Sequence, residues 1–137
     1  MFNKPKPDRM GRLPIHYAAN DRDMDDELRK LIAKGQDVNA REDGNWTPLH
    51  FAANKNKVDT VRILLDAGAE VDAVNNKGET PLLLSVSHND PEAPAVIKLL
   101  REHGADPYRV ANDGFSPIRL AREDDQVAIR DAFADLL

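Results

Sequence analysis

Four histidines, three serines and one dense acidic run are the residues of this 137-residue chain that could do chemistry. A nucleophilic serine needs a base within hydrogen-bond reach and a group to orient that base. Ser85, Ser87 and Ser116 have no assignable base–acid partners. There is no Gly-x-Ser-x-Gly elbow, no His-Glu-x-x-His and no phosphate-cradling glycine loop. His88 and His103 lie 15 residues apart without the spacing of a metal-binding pair, and the chain has no cysteine, which removes thiolate zinc sites, disulfides and cysteine nucleophiles together. The run Asp21-Arg-Asp-Met-Asp-Asp-Glu27 lacks the ligand spacing and glycine of a calcium loop. It reads as a solvated helix start, where the helix dipole favours carboxylates, with a contact patch for a basic partner as the alternative. No catalytic residue, metal or cofactor is expected.

Composition narrows the function class further. The chain is 41% hydrophobic, 31% charged and only 5% aromatic, which suits thin layers of small helices better than a thick core. The net charge of −5 is opposite to the basic excess of a nucleic-acid binder. No apolar run approaches the ~20 residues of a membrane span. The start, Met1 to Pro7, has no apolar stretch after its charges and is expected to be a flexible segment, not a secretory signal. With cysteine absent as well, the expected location is the cytoplasm.

Four segments repeat: Gly11-Arg-Leu-Pro-Ile-His-Tyr-Ala-Ala19, Asn45-Trp-Thr-Pro-Leu-His-Phe-Ala-Ala53, Gly78-Glu-Thr-Pro-Leu-Leu-Leu-Ser-Val86 and Gly114-Phe-Ser-Pro-Ile-Arg-Leu-Ala121. Pro14, Pro48, Pro81 and Pro117 are 34, 33 and 36 residues apart. Gly35, Gly68 and Gly104 each fall 13 residues before the next of these prolines. Thr47, Thr80 and Ser116 suit helix N-caps, with proline at the first helical position where its missing N–H costs nothing. Gly35, Gly68 and Gly104 suit the left-handed residue that closes a helix. Asn45 takes the place of the turn glycine in the second repeat, since asparagine tolerates positive φ.

This doubly timed pattern resembles the ankyrin repeat, whose period is about 33 residues and whose first helix opens Thr-Pro-Leu-His. The resemblance covers residues 8–137. It implies an all-α ankyrin-repeat solenoid of four stacked helix-turn-helix repeats with turn or hairpin fingers, a single domain over 8–137 with repeats near 8–41, 42–74, 75–110 and 111–137. His16 and His50 occupy the motif position whose side chain, in that family, bonds backbone and steadies the turn. The end repeats depart from the pattern. Leu13 stands where a capping Thr is expected, a loss of roughly 1 kcal/mol. Arg119 replaces the histidine, and Arg130 falls at an expected apolar position of a last helix running to Leu137. In the third repeat, Pro91 and Pro94 are expected to exclude helix from Ser87–Pro94, leaving a longer loop.

The resemblance also implies a function, the binding of another protein. Ankyrin stacks present their turn tips and the inner face of the first helices as one concave surface. Carried over by position, the tip residues are Arg12, Trp46, Glu79 and Phe115, beside Asp43, Asn45, Lys77 and Asp113. The ends of the first helices add Asp21, Lys55, His88 and Asp124. Trp46, the only tryptophan, is either a binding hot spot on a turn tip or packing for the neighbouring turn. A small free-standing ankyrin protein is similar to inhibitors and to immunity proteins that neutralise a bacterial toxin, with a general adaptor or assembly scaffold as the alternative. No nucleic acid or membrane partner is expected, and the polar end repeats point to a monomer.

Overall fold

The computed structural model describes residues 5–137. The expected flexible N-terminal stretch falls partly outside it, at residues 1–4, while residues 5–7 have no regular structure. Eight helices follow one another: α1 (Pro14–Asn20), α2 (Asp25–Ala33), α3 (Pro48–Asn54), α4 (Val58–Asp66), α5 (Pro81–Val86), α6 (Ala93–Glu102), α7 (Pro117–Glu123) and α8 (Val127–Asp131). A short 3₁₀ turn, Ala134–Leu136, ends the chain. No strand occurs among the described residues, and the fold is all-α. Each odd-numbered helix packs on the even-numbered helix after it and on the odd-numbered helix of the next pair, giving two layers.

The caps work as their residue types dictate. Thr80 Oγ1 accepts the Leu83 N–H at 3.2 Å and Ser116 Oγ accepts that of Arg119 at 3.2 Å. Leu13 has no such oxygen, and the His16 N–H turns to the Leu13 carbonyl at 3.0 Å. Helices α2, α4 and α6 close on Gly35, Gly68 and Gly104, with φ of 90°, 91° and 92°. In each case the residue after the glycine reaches back five positions, as in Ala69 N–H to Leu64 O at 3.0 Å, which satisfies a terminal carbonyl.

The core runs through the stack without a centre. Ile15, Leu49, Leu82 and Ile118, each following a repeat proline, are all buried. Ala18, Ala52 and Ala121 lie one turn on and let neighbouring helices approach. The corresponding residue in α5 is Ser85, a buried hydroxyl that donates to Asn56 Oδ1, while Asn56 Nδ2 donates to the Ser85 carbonyl at 3.3 Å. A polar pair buried this way must be satisfied by its own members, and this one is.

Two expectations are corrected. Pro94 does not exclude helix: α6 starts at Ala93 and takes Pro94 into its first turn, where no intrahelical N–H is needed. The last helix does not run to Leu137 but stops at Asp131. The chain turns there because Phe133 is wholly buried against the core, with the Arg101 guanidinium 5.4 Å above its ring. Arg101 also grips the Asp135 carboxylate through two bonds of 2.8 and 2.7 Å. Arg130, at the expected apolar position, is exposed.

The two motif histidines bridge repeats. His50 Nδ1 accepts the Thr47 N–H at 3.0 Å, so Nε2 carries the proton and donates to the Glu79 carbonyl at 2.9 Å. His16 does the same between the Leu13 N–H at 2.9 Å and the Ala40 carbonyl at 2.7 Å. Burial pushes His50 down to about 4, against a bond to the Glu79 carbonyl that favours the charged ring, and burial lowers His16 as well. Leu83, at the same position in the third repeat, is a buried alkyl side chain with no such role.

Two outcomes follow. The His50 ring is neutral when folded, so its contribution is full above the unfolded value near 6.5 and is lost as pH falls from there to about 4. Thermal melts should therefore drop steeply across that window, by up to roughly 3 kcal/mol from this residue. In His50→Leu, the residue that the third repeat uses, the drop should be shallower. At Gly68 a Cβ would meet nothing within 4 Å. Gly68→Val should therefore cost about 1–2 kcal/mol from left-handed backbone strain alone, read as a lowered Tm, and Gly68→Asn should cost less.

Candidate functional site

Before each odd-numbered helix the chain makes a tight finger. Four fingers span residues 8–12, 42–46, 75–79 and 111–115, each closed by a backbone bond from its first residue to its last: Asp8 to Arg12 at 3.0 Å, Glu42 to Trp46 at 3.1 Å, Asn75 to Glu79 at 3.1 Å and Ala111 to Phe115 at 2.8 Å. Inside the finger a side chain near its start accepts N–H groups further on. Asp8 takes those of Met10 and Arg12 at 2.9 Å, and Asn75 takes those of Lys77 and Glu79 at 3.0 Å. The turn then requires positive φ, met by Gly11, Asn45, Gly78 and Gly114. Asn45, at φ 60°, does what its type promised.

The fingers are tied to one another by backbone. The Asp43 N–H donates to Met10 O at 2.9 Å, that of Asn76 to Gly44 O at 3.0 Å and that of Asn112 to Lys77 O at 3.0 Å. Asparagine side chains double the ties: Asn76 Nδ2 reaches Asp43 O and Asn112 Nδ2 reaches Asn76 O, both at 3.2 Å. A finger row built this way holds its exposed side chains at a spacing set by the repeat.

The site residues expected from the sequence fall into two rows. On the fingers lie Arg12, Asp43, Asn45, Trp46, Lys77, Glu79, Asp113 and Phe115. At the far ends of α1, α3, α5 and α7 lie Asp21, Lys55, His88 and Asp124. Asp43, Asn45, Lys77 and Asp113 are exposed on the tips, and Asp21, Lys55 and His88 are exposed on the other row. Several of the twelve are also engaged. Asn45 Nδ2 donates to Asn76 Oδ1 at 2.6 Å, and Glu79 Oε1 accepts from Asn75 at 3.0 Å. His88 Nε2 meets Asn54 Oδ1 at 2.8 Å, and Asp124 is half-buried with its carboxylate on the Gln126 N–H.

The aromatic tips are held more deeply than their neighbours. Trp46 is half-buried, its ring centroid 5.0 Å from Phe51 and 5.8 Å from His50. Phe115 is half-buried under the Arg119 guanidinium at 4.4 Å. Arg12 is flattened between Tyr17, at 5.9 Å, and Phe51, at 5.2 Å. Behind it Glu42, only 7% exposed, stands 3.7 Å away and accepts the Trp46 N–H with its other oxygen at 3.0 Å.

Sequence reasoning missed Glu42, Asn56 and Lys57. Lys57 Nζ donates to the Ala19 carbonyl at 3.2 Å and the Asp21 carbonyl at 2.5 Å, crossing from the second repeat to the end of α1. Burial holds its ammonium below the usual lysine range, against the pull of Asp25 and Asp21. No local pattern marks such a lysine. The acidic run behaves as expected of a helix start, with Asp25, Asp26 and Glu27 in the first turn of α2. Asp25 also accepts the Thr60 hydroxyl of α4 at 2.6 Å. Among the described residues no group of three or more potential ligands could hold a metal ion, and no helix is long and apolar enough to cross a membrane.

Comparison with known proteins decides the family: residues 15–111 match the family described as ankyrin repeats (3 copies). This chain belongs to the ankyrin-repeat family. It is 36% identical over 97 residues to the human palmitoyltransferase ZDHHC13, covering 70% of this chain and 15% of that protein. It is 32% identical over 100 residues to the ankyrin repeat protein nuc-2 of Neurospora crassa, covering 73% of this chain and 9% of that one. Human protein phosphatase 1 regulatory subunit 27 is 36% identical over 76 residues, which cover 55% of this chain and 47% of that protein. The chain thus spans only a small share of the first two, one of which is by name an enzyme. Ankyrin repeats are a protein–protein interaction module, generally without catalysis of their own.

The ring contacts make a stability outcome of Trp46. Trp46→Ala should lower the free energy of unfolding by about 1–2 kcal/mol through loss of the Phe51 pairing and its half-burial, measured by urea denaturation. An unchanged midpoint would mean that the indole contributes nothing to the fold and is free to serve a partner alone.

Proposed function

We propose that residues 8–137 act as one non-catalytic ankyrin-repeat unit that binds a single partner protein in the cytoplasm, as one copy, through the finger tips and the exposed ends of α1, α3, α5 and α7. The binding restrains the partner, a toxin or another enzyme being the kind of target. The observation that carries this reading is the hydrogen-bonded row of fingers. Its backbone is consumed in tying finger to finger, while Asp43 and Lys77 project from it into solvent and Asp113, exposed as well, also accepts the Phe115 N–H at 3.1 Å. A surface already ordered before contact loses little freedom on binding, which favours a tight complex of fixed geometry. The name of one relative, a regulatory subunit of a phosphatase, supports the regulatory form of the reading by analogy.

A general adaptor is the second reading. It is favoured by the small share of the longer relatives that the matched repeats occupy, 15% and 9%, since there the repeats serve a larger chain.

The test pairs capture with consequence. The tagged protein and its Lys77→Glu, Asp113→Asn variant are used to capture partners from the host extract. The Tm of both is expected to agree, because neither side chain is buried and asparagine keeps the oxygen that accepts the Phe115 N–H. One protein recovered in equimolar amount and lost with the variant is the expected result. Titrating that protein's activity with this chain then separates the two readings. Inhibition that completes at one equivalent supports restraint, and full activity in a complex that recruits a third protein supports the adaptor. Capture that survives the variant unchanged moves the binding surface off the fingers.

A further inference from the structure

The geometry points to an acid-recognising cleft where the ends of α1 and α3 meet, shaped to take a carboxylate-bearing segment of the partner protein. Asn20, Arg22, Lys55, Lys57 and Asp90 line a depression of about 380 Å³ there. Three of the five are cationic, in a chain whose net charge is −5. The inference rests on the docking reading above and adds to it the chemistry of one subsite.

The three cations differ in what holds them. Lys57 is accounted for locally, since its ammonium ties together the last carbonyls of α1 at Ala19 and Asp21. It is half-buried and therefore fixed in place, with one of its three N–H donors left over. Arg22 and Lys55 are exposed, and neither forms an ion pair within the described residues. Most arginines of this chain do: Arg12, Arg29, Arg41, Arg62, Arg101 and Arg119 each face a carboxylate. The one carboxylate in the lining, Asp90, is engaged with the Glu92 N–H at 2.8 Å. An arginine fork and an ammonium beside a third, immobile cation match a carboxylate from outside.

The surroundings limit what the ligand can be. Arg22 and Lys57 also border a neighbouring depression lined by Asp23, Asp25 and Asp59. These carboxylates would repel an extended polyanion, so nucleic acid and anionic membrane do not fit. A short segment with one or two carboxylates does. The cleft also has an apolar approach. Tyr17 precedes Asn20 by one turn on the same face of α1 and is 37% exposed. Phe51, the corresponding residue of α3, is buried and offers no surface there. The occupant is thus an acidic residue or pair flanked by an apolar side chain.

The test uses the full chain, labelled with nitrogen-15, and three probes: the peptide acetyl-Leu-Glu-Glu-Leu-amide, its double-glutamine counterpart and inorganic phosphate. The acidic peptide should shift the amides of Asn20, Lys55 and Lys57 saturably. The glutamine peptide should bind at least about tenfold more weakly, because it lacks the charge that the cations complement. Arg22→Gln, Lys55→Gln should abolish the effect without lowering Tm, whereas Arg29→Gln on α2 should leave it intact. Non-saturating or scattered shifts, equal binding of the glutamine peptide, or persistence in the double variant would overturn the proposal. Phosphate reproducing the same shifts with equal strength would also overturn it, since the cleft would then be a general anion site. No partner is needed and the finger tips are untouched, so failure here leaves the finger-docking reading standing, and failure of the capture experiment leaves this one.

Discussion

A helix of seven residues beside one of nine cannot bury enough apolar surface to hold itself together in water, and α1 and α2 are of those lengths. Each helix pair must therefore give one face to its neighbour, and everything else in the molecule depends on that contact between repeats. The contact has two parts. Apolar burial through Ile15, Leu49, Leu82 and Ile118 supplies non-directional cohesion. Hydrogen bonds set the register: backbone ties between fingers, the His16 and His50 bridges, the Asn56–Ser85 pair and the Lys57 ammonium on the end of α1. A one-residue slip between repeats would leave buried donors and acceptors unpaired, a penalty that no shifted apolar packing would offset.

The same contact decides which residues remain available to a partner. Asn76 and Asn112 belong to the exposed turns, yet their side-chain amides are committed to the preceding finger. Asp72 accepts the Asp106 N–H in the same manner one level below. Asp43 and Lys77 stand beside these structural residues with their charged ends in solvent, and Asp113 does both, exposed while accepting the Phe115 N–H. Side chains committed to the scaffold and side chains open to solvent thus share the same five residues, which is how a fixed scaffold can carry surfaces of different chemistry. Trp46 and Arg12 lie between the two classes, packed on one side and open on the other.

The first and last of the four repeats depart from the inner pattern in different ways. At the first repeat, Leu13 forgoes its cap and the chain relies on the Leu13 carbonyl. At the last, Arg119 takes the place of the bridging histidine. It turns inward to the Gly114 carbonyl at 3.2 Å, the Phe115 ring and Glu123. Phe133 folds back and is wholly buried against the core. The arginines placed here keep an alkyl stem on the protein and a charge in water, which suits an end face.

Much of this was legible in the residues themselves. Two sets of landmarks, the prolines and the helix-closing glycines, keep a constant offset because each reports a local backbone demand: a helix start without an N–H and a helix end with positive φ. Local demands are satisfied within a few residues, so the sequence alone determined the helix pairs, their order, the finger turns and the role of Asn45. Other features depended on side-chain contacts that no spacing specifies, some within a few residues and some about one repeat apart. Whether Trp46 projects or packs depends on Phe51 and Glu42 around it. Pro94 looked like a breaker and became a first-turn residue, because α6 begins at the buried Ala93 and a proline one position on needs no intrahelical N–H. The last helix stops at Asp131, and Phe133 just beyond it is buried in the core. Lys57 on the α1 carbonyls and the meeting of Arg22 with Lys55 have no local signature at all. Only the tertiary structure decided these, since burial and charge proximity are properties of the stacked repeats and not of any one stretch of chain.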